Sequence, residues 1–163
     1  IKKKKLKHYV KHRNDTIDLG DGVKAYILNP PELRPDYISD DLNNDSMVIR
    51  FTYKDTAFIF MADTGAYAES RMLAENDTVR SNVIKIGHHG SRFSTTNEFL
   101  NACDPEIAVI SVGANNQFRH PSNNTINKLK KRDIKIYRTD RNGAIIMNTD
   151  GTGSINVAPF INR

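Results

Sequence analysis

The chain has 163 residues, 38% of them hydrophobic and 26% charged, which excludes global disorder and supports one domain with its own core. One cysteine, Cys103, excludes an intrachain disulfide, and no apolar run approaches the roughly 18 residues that cross a bilayer. The net charge of +5 is local: Lys2, Lys3, Lys4, Lys5, Lys7, Lys11 and Arg13 crowd one end, and Lys128, Lys130, Lys131 and Arg132 form a second cluster. Such clusters favour nucleic acid or anionic lipid, although the second reads more simply as a solvated helix face.

Residues 1–13 read as a basic tail, or as the end of an element whose partner lies elsewhere. Strands are expected at 16–19 and 23–28 around Gly20-Asp21-Gly22, a hairpin signal, with Asn29-Pro30-Pro31 ending the second. The polar stretch 32–45 holds Asp40, Asp41 and Asp45, but its spacing does not match an EF-hand, so a plain surface loop is expected. Strands follow at 46–53 and 56–61. Met47, Ile49 and Phe51 fall on one face of the first. The second, apolar throughout at Phe58-Ile59-Phe60-Met61, reads as covered on both faces. It runs into Asp63, a carboxylate placed either to bind metal or to cap a helix at 66–73.

A strand at 83–86 then leads into Gly87-His88-His89-Gly90-Ser91. Neutral imidazole is a common metal ligand and general acid/base, and the flanking glycines let the backbone turn and a ligand come close. A helix at 97–102 capped by Thr95 or Thr96, a strand at 107–110 and a loop holding Asn116 and His120 come next. A helix after Ser122 places Ile126 and Leu129 inward, and strands are expected at 134–137, 144–147 and 154–158. The alternation is layered α/β. Asp63, the histidine pair and the Asn116/His120 loop all follow strands, where α/β proteins place ligands.

Together these stretches resemble a known family. A strand ending in Asp63 precedes Lys85-Ile86-Gly87-His88-His89-Gly90-Ser91. Ile110-Ser111-Val112-Gly113 with Asn116 and His120-Pro121 follows, then Tyr137-Arg138-Thr139-Asp140 with Gly143-Ala144-Ile145; Asn43, Asn44 and Ser46 add an asparagine-serine stretch. The pattern is similar to the C-terminal half of the metallo-β-lactamase-fold hydrolase domain of ComEC-type competence proteins, over roughly residues 23–151. The resemblance implies an α/β fold, an αββα sandwich whose C-terminal half is residues 14–163. It implies one or two divalent ions, zinc or manganese, and hydrolysis of phosphodiesters or similar esters by a metal-activated water. It makes Asp63 and His89 metal ligands, His88 and His120 catalytic, and Ser91, Asn116 and His120 substrate contacts. It also implies the extracytoplasmic face of a bacterial membrane, or secretion, with the cytoplasm as the alternative where the resemblance does not hold.

The family's His-x-His-x-Asp-His is absent from these residues, so the expectation is a piece that lacks its N-terminal half and needs it, or another copy, to cover an exposed sheet face. DNA is one substrate consistent with the basic balance, although with 8% aromatics no stacking platform is legible. A small-molecule phosphoesterase of phosphocholine-ester type and a non-catalytic polyanion-binding module are the alternatives.

Overall fold

The computed structural model describes residues 7–32 and 41–160. Lys2, Lys3, Lys4 and Lys5 of the basic end, and the 33–40 part of the acidic stretch, lie outside them.

Strands β1 (Thr16–Gly20), β2 (Val23–Asn29), β3 (Val48–Tyr53) and β4 (Thr56–Phe60) form an antiparallel run. Beyond β4 the sheet turns parallel, adding β5 (Val83–Lys85), β6 (Ile107–Ile110) and β7 (Lys135–Arg138), so the seven strands lie in chain order. The parallel strands are joined by α1 (Ala66–Ala74), α2 (Asn97–Cys103) and α3 (Asn123–Lys130). A one-turn helix, α4 (Thr139–Asn142), leads to a separate hairpin of β8 (Ile145–Asn148) and β9 (Asn156–Pro159). The α/β layering read from the sequence is therefore present, as one mixed sheet with few helices.

Register explains where the core sits. Tyr26, Arg50, Ile59, Ile84, Ala108 and Ile136 pair successively across the sheet and share one face. On it Ile59, Ile84 and Ala108 join Met72 of α1, Phe99, Leu100 and Cys103 of α2, and Leu129 of α3 in one buried cluster. Burial of Phe99 and Leu100, each at most 1% exposed, contributes about 2 kcal/mol apiece. The helices start where their chemistry directs. Thr96 and Ser122 accept from the N–H groups of Phe99 and Thr125, both at 3.2 Å. Each such cap contributes about 1 kcal/mol.

The opposite face is less covered. Ile49, Phe51 and Phe58 are half-buried, Phe60 is 44% exposed, and the Phe51 and Phe60 rings meet edge-on at 5.6 Å. The expectation that 58–61 is covered on both faces is thus corrected: Ile59 and Met61 are buried against helices, while Phe58 and Phe60 point to the open side. The acidic stretch also gains structure. A 3-10 turn at Leu42–Asp45 is capped by Asp41, and Asn44 Oδ1 accepts from Gly65 and Ala68 N–H, bracing the start of α1. At the basic end, Arg13 is bonded to Asp77 and Glu75. In the second cluster, Lys128 donates to the Thr95 carbonyl and Arg132 to Asn101.

Candidate functional site

Three chain crossings meet at the carboxyl ends of β4, β5 and β6. After β4 the backbone bends at Ala62, with φ +46°, and presents Asp63. Asp63 is not a helix cap: the residue before α1 is Gly65, which makes no side-chain cap bond, and the Thr64 hydroxyl donates to the Met61 carbonyl at 2.6 Å. After β5 the Gly87–Gly90 turn carries His88 and His89 at φ +48° and +54°, both left-handed. Two successive side-chain-bearing residues there are strained, a condition that gathers at functional sites.

The turn is stitched to both neighbours. His88 N–H donates to the Ala62 carbonyl at 3.0 Å, and the Gly90 carbonyl accepts from Ser122 N–H at 2.9 Å. A Cβ on Gly87 would lie 2.9 Å from the Thr64 carbonyl oxygen, and one on Gly90 2.6 Å from Pro121 Cβ. The room that these glycines leave is therefore filled by the protein's own chain, which corrects the expectation that it admits a ligand.

His89 faces Asp63, with Nε2 3.6 Å from Oδ1, and each side chain is about half exposed. The other ring nitrogen, Nδ1, lies 2.8 Å from the Ser111 carbonyl oxygen. A carbonyl has no proton to give, so Nδ1–H donates and Nε2 faces the carboxylate. His88 stands between its neighbours, its ring centre 6.5 Å from that of His89 and 5.9 Å from that of His120. His120 stacks on Phe118 at 5.8 Å. Burial, then the nearby charge of His88 and His89, lowers the His120 pKa and favours its neutral form at pH 7.

The expected substrate contacts are placed differently. Asn116 Nδ2 donates to the Gly113 and His120 carbonyls, while its Oδ1 accepts from His120 N–H, so this amide folds the loop that delivers His120. Ser91 is buried, and its hydroxyl accepts from Phe93 N–H at 3.3 Å. In the Arg138-Thr139-Asp140 stretch, Thr139 Oγ1 accepts from Val112 N–H and donates to the Val112 carbonyl, tying the β6 end to α4.

Lys85 carries no functional signal in the sequence pattern. Its ammonium donates to the Ile86 carbonyl at 3.0 Å; burial lowers its pKa, and the charge of Asp63 offsets part of that. The Ser111 carbonyl had no sequence signal at all, since any residue supplies one. Among the described residues, no group of three or more His, Cys, Asp or Glu side chains converges as a metal cage, and no helix is long and apolar enough to cross a membrane. The donors present, Asp63 and His89, fit one edge of a metal site and do not complete one.

Fold and site define an α/β protein with a carboxylate and three histidines at the carboxyl edge of its parallel strands. In sequence it is related to competence proteins. It is 32% identical over 146 residues to ComE operon protein 3 of Bacillus subtilis (strain 168), covering 88% of this chain and 18% of that protein. It is 34% identical over 126 residues to Competence protein ComA of Neisseria gonorrhoeae, covering 77% and 18%. It is 26% identical over 127 residues to Recombination protein 2 of Haemophilus influenzae, covering 78% and 15%. The chain thus spans less than a fifth of the length of these curated relatives. No family model matches it.

Proposed function

We propose that this chain is part of a metal-dependent hydrolase of phosphodiester or related ester bonds, acting on DNA in competence-type uptake. The DNA-uptake element is supported by the likeness to ComE operon protein 3 and Competence protein ComA. Hydrolysis is supported by one observation, His89 Nε2 set against the Asp63 carboxylate at 3.6 Å. Two such atoms repel unless a proton or cation lies between them. Ligands of one tetrahedral zinc ion stand roughly 3.3 Å apart when each bond is about 2.0 Å. His89 also has the tautomer a ligand needs, with Nδ1–H held by the Ser111 carbonyl.

In this reading Asp63 and His89 hold a divalent ion, zinc or manganese. The remaining donors belong to a part of the protein outside these 163 residues, which packs on the open sheet face and closes an αββα sandwich of metallo-β-lactamase type. A metal held there would supply Lewis acidity and a water that ionises near neutral pH. His88, half-exposed between the other two rings, gives a proton to the leaving oxygen. His120, favoured neutral by burial, offers an N–H to a phosphate oxygen. Asn116 holds the His120 backbone in place.

The test is turnover of bis-p-nitrophenyl phosphate by the full-length protein with added zinc or manganese. Chelator-sensitive turnover with stoichiometric metal is expected. Turnover that survives chelation, or a full-length protein that binds no metal, would overturn the reading.

A further inference from the structure

Beside His88 the surface opens into a cleft of about 530 Å3 bounded by Tyr67, Arg92, Phe93 and Lys128. Its two rings need explaining: Tyr67 is 63% and Phe93 66% exposed. Large aromatic surface left in water next to a catalytic edge forgoes the stabilisation that burial would give. Nor do these rings ride on a loose loop. Ala66 N–H donates to the Phe93 carbonyl at 2.9 Å, and Asn44 Oδ1 accepts from Gly65 and Ala68 N–H. Both rings therefore project from one braced junction at the start of α1.

Each ring already carries an arginine. The Arg71 guanidinium lies 5.5 Å from the Tyr67 ring centre and that of Arg92 4.6 Å from Phe93. A cation on one face leaves the other for a flat partner; Arg71 is itself paired with Asp45 at 3.9 Å, so the positive charge at the rim is that of Arg92. Lys128 spends one donor on the Thr95 carbonyl, and an ammonium has three. Among the described lining residues Asp41 is the one acid, and its oxygens accept from Asn43 N–H and Asn44 Nδ2, each at 3.0 Å. Braced aromatic faces with cations beside them are how single-stranded nucleic acids are held. A duplex keeps its base faces stacked inside and has none to offer.

We propose that this cleft is a nucleobase-stacking subsite. Tyr67 and Phe93 receive bases of a single-stranded nucleic acid, Arg92 and Lys128 hold its phosphates, and the strand passes His88 to the Asp63/His89 edge. The subsite names the substrate of the hydrolase reading and rests on it.

The test is fluorescence anisotropy of the full-length protein with a labelled oligodeoxythymidylate, an abasic oligonucleotide of equal length and a duplex, all in chelator. The oligodeoxythymidylate should bind at least roughly fivefold tighter than the abasic strand. Tyr67→Ala and Phe93→Ala should each weaken it by roughly five- to a hundredfold. The abasic affinity should stay unchanged, and Tyr67→Phe should bind as the parent does. Equal binding of thymidylate and abasic strands by the unmutated chain overturns the proposal and requires no variant to fold. Duplex binding as tight as single-strand binding, or ring variants that bind as the parent does, also overturns it. Base preference without hydrolysis by the full-length protein faults the hydrolase reading alone. Chelator-sensitive hydrolysis without base preference faults the subsite alone.

Discussion

The Glu69 carboxylate, 1% exposed on α1, accepts the Thr95 and Thr96 N–H groups at 2.6 and 2.7 Å. One buried charge thereby joins α1 to the start of α2 and fixes the loop that follows the histidine pair. We expect Glu69→Ala to strand both N–H groups and destabilise the chain by about 3 kcal/mol. Glu69→Gln, which keeps one acceptor, should cost about half of that. Denaturant unfolding of the two variants checks the order.

Asp63 and the histidine pair separate chemistry from fold. In the full-length protein, Asp63→Ala should abolish turnover and loosen metal while moving stability by about 0.5 kcal/mol or less, as for a half-exposed side chain without a cap role. His89→Ala should lose more metal than His88→Ala, because His89 faces Asp63. Metal analysis of the purified variants decides; greater loss from His88→Ala would exchange the assignments.

Gly90 combines φ +83° with a contact that leaves no room for a Cβ beside Pro121. Gly90→Ala should destabilise the chain by about 2 kcal/mol or more, since strain and overlap add. It should also weaken metal binding in the full-length protein by displacing the histidines. A melting temperature equal to that of the parent would refute the clamp between the turn and the His120 loop.

Cys103 is fully buried, and burial pushes its thiol up to about 12. The unfolded thiol ionises near 9.0, so above that pH the unfolded state has lost a proton that the folded state keeps. Stability should therefore fall as pH rises through 9, and Cys103→Ala should flatten that slope. Iodoacetamide at pH 8 should label the thiol only after unfolding.

What was legible in the sequence follows from local physics. The runs Val83-Ile84-Lys85 and Ile107-Ala108-Val109-Ile110 announced strands because each is short, rich in apolar and β-branched residues and followed by a polar loop. Thr96 and Ser122 announced helices because their hydroxyls satisfy free N–H groups. The turn α4 was missed, since Thr139-Asp140-Arg141-Asn142 has no apolar period. The exposure of Phe60 was missed because alternation cannot say which face a sheet leaves open. At the site, the strand-end positions of Asp63 and His89 were legible, but the contacts of Asn116 and Ser91 were not. Their bonds run to backbone groups, which carry no residue signature. That Tyr67 and Phe93 line one cleft was hidden by their separation along the chain.

The left-handed backbone at His88 and His89 has a consequence for how this edge responds to change. Each imidazole occupies a torsional well in which glycine would be at ease and a β-carbon costs about 1 kcal/mol. Replacing either histidine by glycine should therefore raise the melting temperature of the chain while erasing what the ring does. A selection for thermal endurance alone would count these two residues among those it discards, and a library screened that way would return sturdier proteins with an inert edge.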